Sequence, residues 1–176
     1  MTMSEVRPWR VATWVAGGDA GQSGLGVFFR ELLPRLSEEV GARGGELVAL
    51  GTRVDLEAAG LAANGKETIV LPPVFDRSSV SAGASLLFGD TLARLARADV
   101  IYLPAANRRS MRAGRIPIVG TVHDIAQLAA GGRFGALRDA YVRRLVAPTF
   151  RRMRWVLSVS AATQRDLVRL TGVDEA

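Results

Sequence analysis

Short apolar runs alternate along the chain with longer stretches in which apolar side chains recur every three or four residues. The short runs predict six β-strands, at residues 11–15, 47–50, 68–71, 100–103, 116–122 and 156–159. These runs are almost uniformly apolar, which is typical of a parallel sheet covered by helices on both faces. The pattern therefore predicts a single α/β domain with a doubly wound parallel sheet.

The longer stretches predict helices between the strands. The first carries Phe28, Leu33 and Val40 on one face, and Pro34 is expected to kink or restart it. Further helices are predicted at residues 86–98, at 134–153 with an interruption near Pro148, and between an N-cap at Ser160 and a stop at Gly172. Residues 53–65 predict at most a short helix, and residues 74–82 predict an exposed loop.

Charge narrows the choice of partners. The 176 residues have a formal net charge of +6, and Lys66 is the only lysine among 23 basic residues. Such a charge favours phosphates, acidic membrane surfaces or nucleic acid. Aromatic residues make up only 6% and do not interleave with basic ones as they do in RNA-binding sheets, which argues against nucleic acid.

The remaining composition bears on location and metals. The chain has no cysteine, which excludes disulfides and thiolate metal sites, and its one histidine and lack of a D-x-D motif predict no metal site. No uncharged apolar stretch reaches the roughly 18 residues that a membrane-spanning helix needs. The first ten residues lack the apolar region of a signal peptide. These features predict a cytoplasmic protein.

Candidate chemistry follows the strands, because ligands of open α/β sheets bind at the strands' carboxyl ends. The first strand leads into a glycine-rich loop at residues 17–26, where backbone N–H groups can hold a phosphate or a sugar hydroxyl. The loop lacks G-x-G-x-x-G and no acidic residue ends the second strand, which argues against NAD. A flexible turn before a helix is the alternative.

Three other strand ends carry polar side chains. His123 and Asp124 follow the fifth strand, where an imidazole can hydrogen-bond a phosphate or hydroxyl or accept a proton. A structural histidine, with Asp124 capping a turn, remains the alternative. Tyr102 and Asn107, at and after the fourth strand, are candidates to line the same cleft. A plain strand-to-loop exit explains them equally well.

Arginines are dense in the second half of the chain. Those between residues 138 and 154 alternate with apolar residues, so the segment can form a patch that attracts anionic lipid. A solvated helix face is the alternative.

Four segments, in order, resemble family-four glycosyltransferases of the GT-B fold. They are Ser23-Gly24-Leu25-Gly26-Val27-Phe28 with the helix after it, Ala98-Asp99-Val100-Ile101-Tyr102-Leu103-Pro104, Pro117-Ile118-Val119-Gly120-Thr121-Val122-His123-Asp124, and Val156-Leu157-Ser158-Val159-Ser160 with Thr163, Asp166 and Gly172 beyond it. Those enzymes have two Rossmann-like domains, of which the first mainly holds the acceptor and the second most of the nucleotide-sugar donor. The resemblance implies that residues 1–176 are the N-terminal, acceptor-side domain, without the donor-binding domain and its E-x7-E pair.

The resemblance also implies roles. Ser23, Gly24 and Gly26 would lie near the donor diphosphate and the acceptor. His123 would sit beside the transferred sugar or phosphate and support charge as the glycosidic bond breaks. From their strand-end positions, and not from the resemblance, Asp124 is a second catalytic candidate that could orient His123 or hold a sugar hydroxyl, and Tyr102 and Asn107 are candidates to bind substrate. The reaction would be sugar transfer to a saccharide or lipid-linked acceptor with retained configuration, with a nucleotide-sugar as co-substrate and no metal or other cofactor.

Two expectations concern the chain by itself. Half of the cleft would be missing, so residues 1–176 alone are expected to be inactive. The alternative function is a non-catalytic α/β binding module, a partner subunit that presents an acceptor to a separate catalytic half. Either protein would be cytoplasmic, with contact to an anionic membrane surface at the inner face as an open option.

Overall fold

A computed structural model describes residues 7–61, 68–112, 114–125, 140 and 142–174. Within them, six strands form one parallel sheet: β1 (Trp9–Trp14), β2 (Gly45–Gly51), β3 (Thr68–Val70), β4 (Val100–Leu103), β5 (Ile118–Val122) and β6 (Trp155–Ser158). Five α-helices accompany them: α1 (Gly24–Ala42), α2 (Arg53–Ala58), α3 (Ser78–Leu95), α4 (Ala147–Phe150) and α5 (Ala161–Thr171). Short 3₁₀ turns lie at Asp19–Gly21 and Pro73–Asp76, and a π-helical turn at Val142–Val146 leads into α4.

The strand order in the sheet is β3-β2-β1-β4-β5-β6, with every neighbouring pair parallel. The chain moves outward from β1 to β3, then crosses over and moves outward again from β4 to β6. The direction reverses between β1 and β4, and this switch point is where doubly wound sheets leave a crevice for ligands. The prediction of a doubly wound, Rossmann-like α/β domain is confirmed.

Alternate residues of β1 face opposite layers of the core, as the two-residue period of a strand requires. Val11 and Val15 pack with Phe29 and Leu33 of α1. Ala12, Trp14 and Ala16 point the other way, into a cluster that also contains residues of α3, α4 and α5. Helices therefore cover both faces of the sheet, which explains its almost uniformly apolar strands.

Several local predictions hold with shifted ends, and one is wrong. Pro34 lies inside α1, which runs from Gly24 to Ala42 as one helix, so of the two predicted effects of this proline the restart is not observed. Residues 74–82 are not an exposed loop, because α3 begins at Ser78 and not near residue 86. Of the helix predicted over residues 134–153, residues 134–139 and 141 lie outside the described residues. The described part forms the π-helical turn and α4 and ends at Phe150, and Pro148 lies in the first turn of α4.

The early start of α3 depends on polar burial, which an apolar pattern does not reveal. Ser81 is completely buried, accepts a hydrogen bond from Trp14 Nε1 at 3.0 Å and donates one to the Ala16 carbonyl at 2.6 Å. Ser85 is also fully buried and donates to the Ser110 carbonyl at 3.1 Å. These bonds tie the first half of α3 to the end of β1 and to the loop after β4.

Replacing Ser81 by alanine is expected to lower the free energy of unfolding by about 1–3 kcal/mol, because it leaves the buried Trp14 N–H without a partner. Ser79→Ala, at an exposed position of the same helix, is the matched control and should change stability by less than about 0.5 kcal/mol. Urea denaturation of both variants measures the difference. Equal stability of the two would contradict the assigned role of Ser81.

Candidate functional site

The loop between β1 and α1 has a backbone that L-amino acids rarely adopt. Its φ angles are positive at Gly17 (72°), Asp19 (57°), Ala20 (53°) and Gly21 (80°). Glycine takes such angles freely, whereas a side-chain-bearing residue in this region costs about 1–3 kcal/mol. Two consecutive non-glycine residues therefore need surrounding contacts that hold them there.

Asp55 supplies contacts from one side. It lies in α2, is only 5% exposed, and accepts hydrogen bonds from the N–H groups of Gly17 at 2.7 Å and Ala20 at 3.2 Å. The Thr52 hydroxyl donates to the same carboxylate at 3.1 Å, and the Thr52 hydroxyl oxygen in turn accepts from the Asp55 N–H at 3.3 Å. The Thr52 hydroxyl thus caps the start of α2, while the Asp55 carboxylate accepts from two amides of the loop.

Arg109 supplies contacts from the other side. It follows β4, is also 5% exposed, and donates from Nε to the Ala16 carbonyl at 3.1 Å and from a terminal nitrogen to the Gly17 carbonyl. It reaches the hydroxyl of Ser78 at 3.2 Å as well. Residues from α2, from α3 and from the loop after β4 thus fix one turn of backbone.

The start of α1 is organised by Ser23. Its hydroxyl oxygen accepts from the N–H groups of Leu25 at 3.2 Å and Gly26 at 3.5 Å, and its own N–H donates to Asp19 Oδ1 at 3.2 Å. Gly26 packs so tightly that a Cβ there would lie 2.3 Å from Gly21 Cα. Gly24 is exposed, and a Cβ there would meet nothing within 4 Å.

His123 follows β5 and is held by three elements. Its Nε2 lies 2.8 Å from the Pro104 carbonyl oxygen, which can only accept, so Nε2 carries a proton. Phe28 of α1 makes an edge-to-face contact with the imidazole, with ring centroids 4.5 Å apart and planes at 84°. The His123 carbonyl accepts from the Thr163 hydroxyl of α5 at 3.3 Å. Nδ1 has no hydrogen-bond partner in the part of the chain that the structure describes.

These residues surround one cleft of about 270 Å³. It brings together five predicted site residues with two others, and its lining consists of Ser23, Gly24, Leu25, Asn107, Arg108, His123 and Asp124. The cleft lies at the carboxyl edge of the sheet, between loops that follow β1, β4 and β5. The start of α1 and the Arg108 side chain bring positive charge to it.

Two predicted site residues lie elsewhere. Tyr102 does not line the cleft: it is 8% exposed within the core, and its hydroxyl is 2.9 Å from Thr121 Oγ1. Burial raises the pKa of the Tyr102 phenol, and the Thr121 hydrogen bond only partly opposes this. Gly26 is buried under Gly21, so its position serves backbone packing.

Asn107 has an unusual amide. Its Oδ1 is shut off from solvent and has no hydrogen-bond partner among the described residues. A buried oxygen without a donor is destabilising by about 1–3 kcal/mol.

The sequence did not point to Asp55 or Arg109. Asp55 falls in a segment with no clear periodicity, and Arg109 is one of four arginines between residues 108 and 115. The one feature of the sequence that could have indicated these two residues is their position along the chain. Each follows a strand that lies next to β1 in the sheet.

The sheet order and the cleft define the class of protein: a Rossmann-like α/β domain with a cleft at its switch point. The model of the family described as Glycosyltransferase Family 4 matches residues 23–176, so the chain belongs to that family, as its sequence motifs predict. No curated protein matches the chain.

The two glycines at the head of α1 should respond differently to alanine. Gly26→Ala forces a Cβ onto the Gly21 backbone and is expected to destabilise the chain by about 1–3 kcal/mol. Gly24→Ala enters open space and should be neutral or slightly stabilising, because alanine favours helix. Thermal unfolding of both variants provides the comparison. A Gly26→Ala variant as stable as Gly24→Ala would show that the loop does not pack on α1 as described.

Proposed function

We propose that this chain is the acceptor-side domain of a retaining glycosyltransferase, which transfers a sugar from a nucleotide-sugar donor to a saccharide or lipid-linked acceptor. A second domain, outside residues 1–176, would hold most of the donor. One observation carries the proposal: His123, the head of α1 and the loop after β4 converge on one cleft at the switch point of a chain in this family.

The protonated Nε2 of His123 determines what the ring can offer. In the neutral ring, Nδ1 is an acceptor, which suits a sugar hydroxyl. The Pro104 carbonyl and the Phe28 ring hold the imidazole in one orientation, so this acceptor is fixed before substrate arrives. Fixed polar groups need no reorganisation when charge develops in the transition state.

The positive end of the cleft suits the departing nucleoside diphosphate. The N-terminus of α1 attracts anions through its dipole, and the Arg108 guanidinium adds a full charge. Asp124 would then accept a hydrogen bond from an acceptor hydroxyl, and Asn107 would contact the acceptor from the same lining. Stabilisation of the leaving group by protein dipoles and cations is the main catalytic effect proposed here, with no metal ion required.

In the full-length enzyme, His123→Ala is expected to lower kcat at least about 100-fold, the effect of losing a positioned polar group. His123→Asn places an amide near the Nδ1 position, whereas His123→Gln places one near Nε2. If Nδ1 contacts substrate, asparagine should retain more activity than glutamine. A screen of UDP-, GDP- and ADP-linked hexoses first identifies the active donor. Steady-state kinetics with that donor then compare the three variants with the wild type.

An unchanged kcat in His123→Ala would remove His123 from the mechanism. Transfer by purified residues 1–176 alone would overturn the assignment of the donor to a second domain. If the full-length protein transfers no sugar but binds an acceptor saccharide, a non-catalytic binding module becomes the better description.

We further propose contact with an anionic membrane surface. Arg143, Arg144, Arg152 and Arg154 are all exposed, next to the half-exposed Leu145 and Trp155. Arg151 is excluded from this patch, because its Nε donates to the Thr171 carbonyl at the end of α5. Among the described residues no helix is long and apolar enough to cross a membrane.

Arg152→Gln/Arg154→Gln is expected to weaken binding to phosphatidylserine vesicles about 30-fold, because each arginine near the membrane surface contributes about 1 kcal/mol of binding free energy. The matched control, Arg35→Gln/Arg94→Gln, removes the same charge from exposed positions of α1 and α3 and should weaken binding less than about threefold. Vesicle flotation measures both. Equal losses would indicate attraction by net charge alone and would contradict a patch.

A further inference from the structure

We propose that Asp55 and Arg109 are positioning residues that set the shape of the cleft by holding one peptide unit, Ala16–Gly17, between opposite buried charges. Neither residue lines the cleft. Their effect on catalysis rests on the proposed function, whereas their effect on the loop does not.

The two residues meet the same peptide unit at its two polar ends. Its carbonyl, from Ala16, accepts from Arg109 Nε at 3.1 Å and from the Ser81 hydroxyl at 2.6 Å. Its N–H, from Gly17, donates to Asp55 Oδ2 at 2.7 Å. The cation faces the negative end of the peptide dipole and the anion faces the positive end, so both charges favour the same orientation.

Burial makes this arrangement strong. Asp55 and Arg109 are each 95% shielded from solvent, and a buried charge without hydrogen bonds is very unfavourable. Both use their hydrogen-bonding groups on the loop backbone, where charge-assisted bonds are short and strong. The two bonds sit at either end of one amide group, so rotation of that peptide would break both together.

Asp55 also contacts the part of the loop with positive φ angles. The second Asp55 oxygen accepts from the N–H of Ala20, which lies at a positive φ of 53°. Asp19, at 57°, bonds the N–H of Ser23, and Ser23 begins α1 in the cleft wall. The chain of contacts therefore runs from the buried Asp55 to the two residues, Ser23 and Gly24, that would meet the substrate.

Asp55→Asn leaves one oxygen to accept and turns an NH₂ group toward the other backbone N–H. In the full-length enzyme we expect KM for the active nucleotide sugar to rise about tenfold with kcat within about twofold, because the loop contributes binding and the reacting groups stay in place. Arg109→Lys keeps the charge but cannot reach both carbonyls, and the same KM effect is expected. It serves as the second variant if Asp55→Asn fails to fold.

A rescue experiment separates positioning from simple loss of stability. Ala20→Gly relieves the positive φ inside the loop, and Arg97→Gly relieves a nearly identical φ of 52° at an exposed residue after α3. Each is added to Asp55→Asn and to Arg109→Lys. Both glycines should raise the melting temperature by similar amounts, but only Ala20→Gly should return KM to within about threefold of wild type.

The clamp, meaning the contacts of Asp55 and Arg109 with the Ala16–Gly17 peptide unit, can also be tested by amide hydrogen exchange, which needs no activity measurement. Exchange at Gly17 and Ala20 should be at least about tenfold faster in Asp55→Asn than in wild type, and Ala20→Gly but not Arg97→Gly should slow it again. The proposal would be overturned if Arg97→Gly restored KM to the same degree as Ala20→Gly. It would also be overturned if amide exchange and KM were unchanged in both Asp55→Asn and Arg109→Lys. A wild-type enzyme without transferase activity would count against the proposed function, and the exchange data would still decide whether the clamp exists.

Discussion

The Asp55 carboxylate and the Arg109 guanidinium contact one peptide unit from opposite sides, and the turn after β1 takes its shape from that contact. The turn sets where α1 begins, and α1 brings Ser23 to the cleft and Phe28 to the ring of His123. The cleft is therefore built from a buried electrostatic arrangement beneath it. The polar residues that line the cleft are positioned by groups that do not line it.

Local signals were enough to predict most of the fold. The apolar runs, the Ser160 cap and the glycine stop at Gly172 each depend on neighbours within a few residues, and the structure contains all of them. The start of α3 could not be predicted in this way, because Ser81 is paired with Ala16, 65 residues earlier. Arg109 contacts Gly17 across 92 residues, so nothing local distinguishes it from the arginine before it.

The same structure explains why the loop lacks a dinucleotide fingerprint. In that fingerprint the acidic residue after the second strand binds a ribose, and three glycines shape the turn. Here the acid after β2 is Asp55, and its oxygens are used by Gly17, Ala20 and Thr52. The carboxylate stabilises the loop and does not line the cleft, so it does not take the ribose-binding role of the fingerprint's acidic residue.

The hydrogen bond between the His123 carbonyl and the Thr163 hydroxyl has a mechanical consequence. Thr163 lies in the first turn of α5, so the backbone that carries the imidazole is tethered to a helix outside the cleft. Any displacement of α5 along the sheet would pull on that backbone, while the Pro104 carbonyl and the Phe28 ring resist from the other side. Movement of α5 would therefore change the orientation of the His123 imidazole at the cleft.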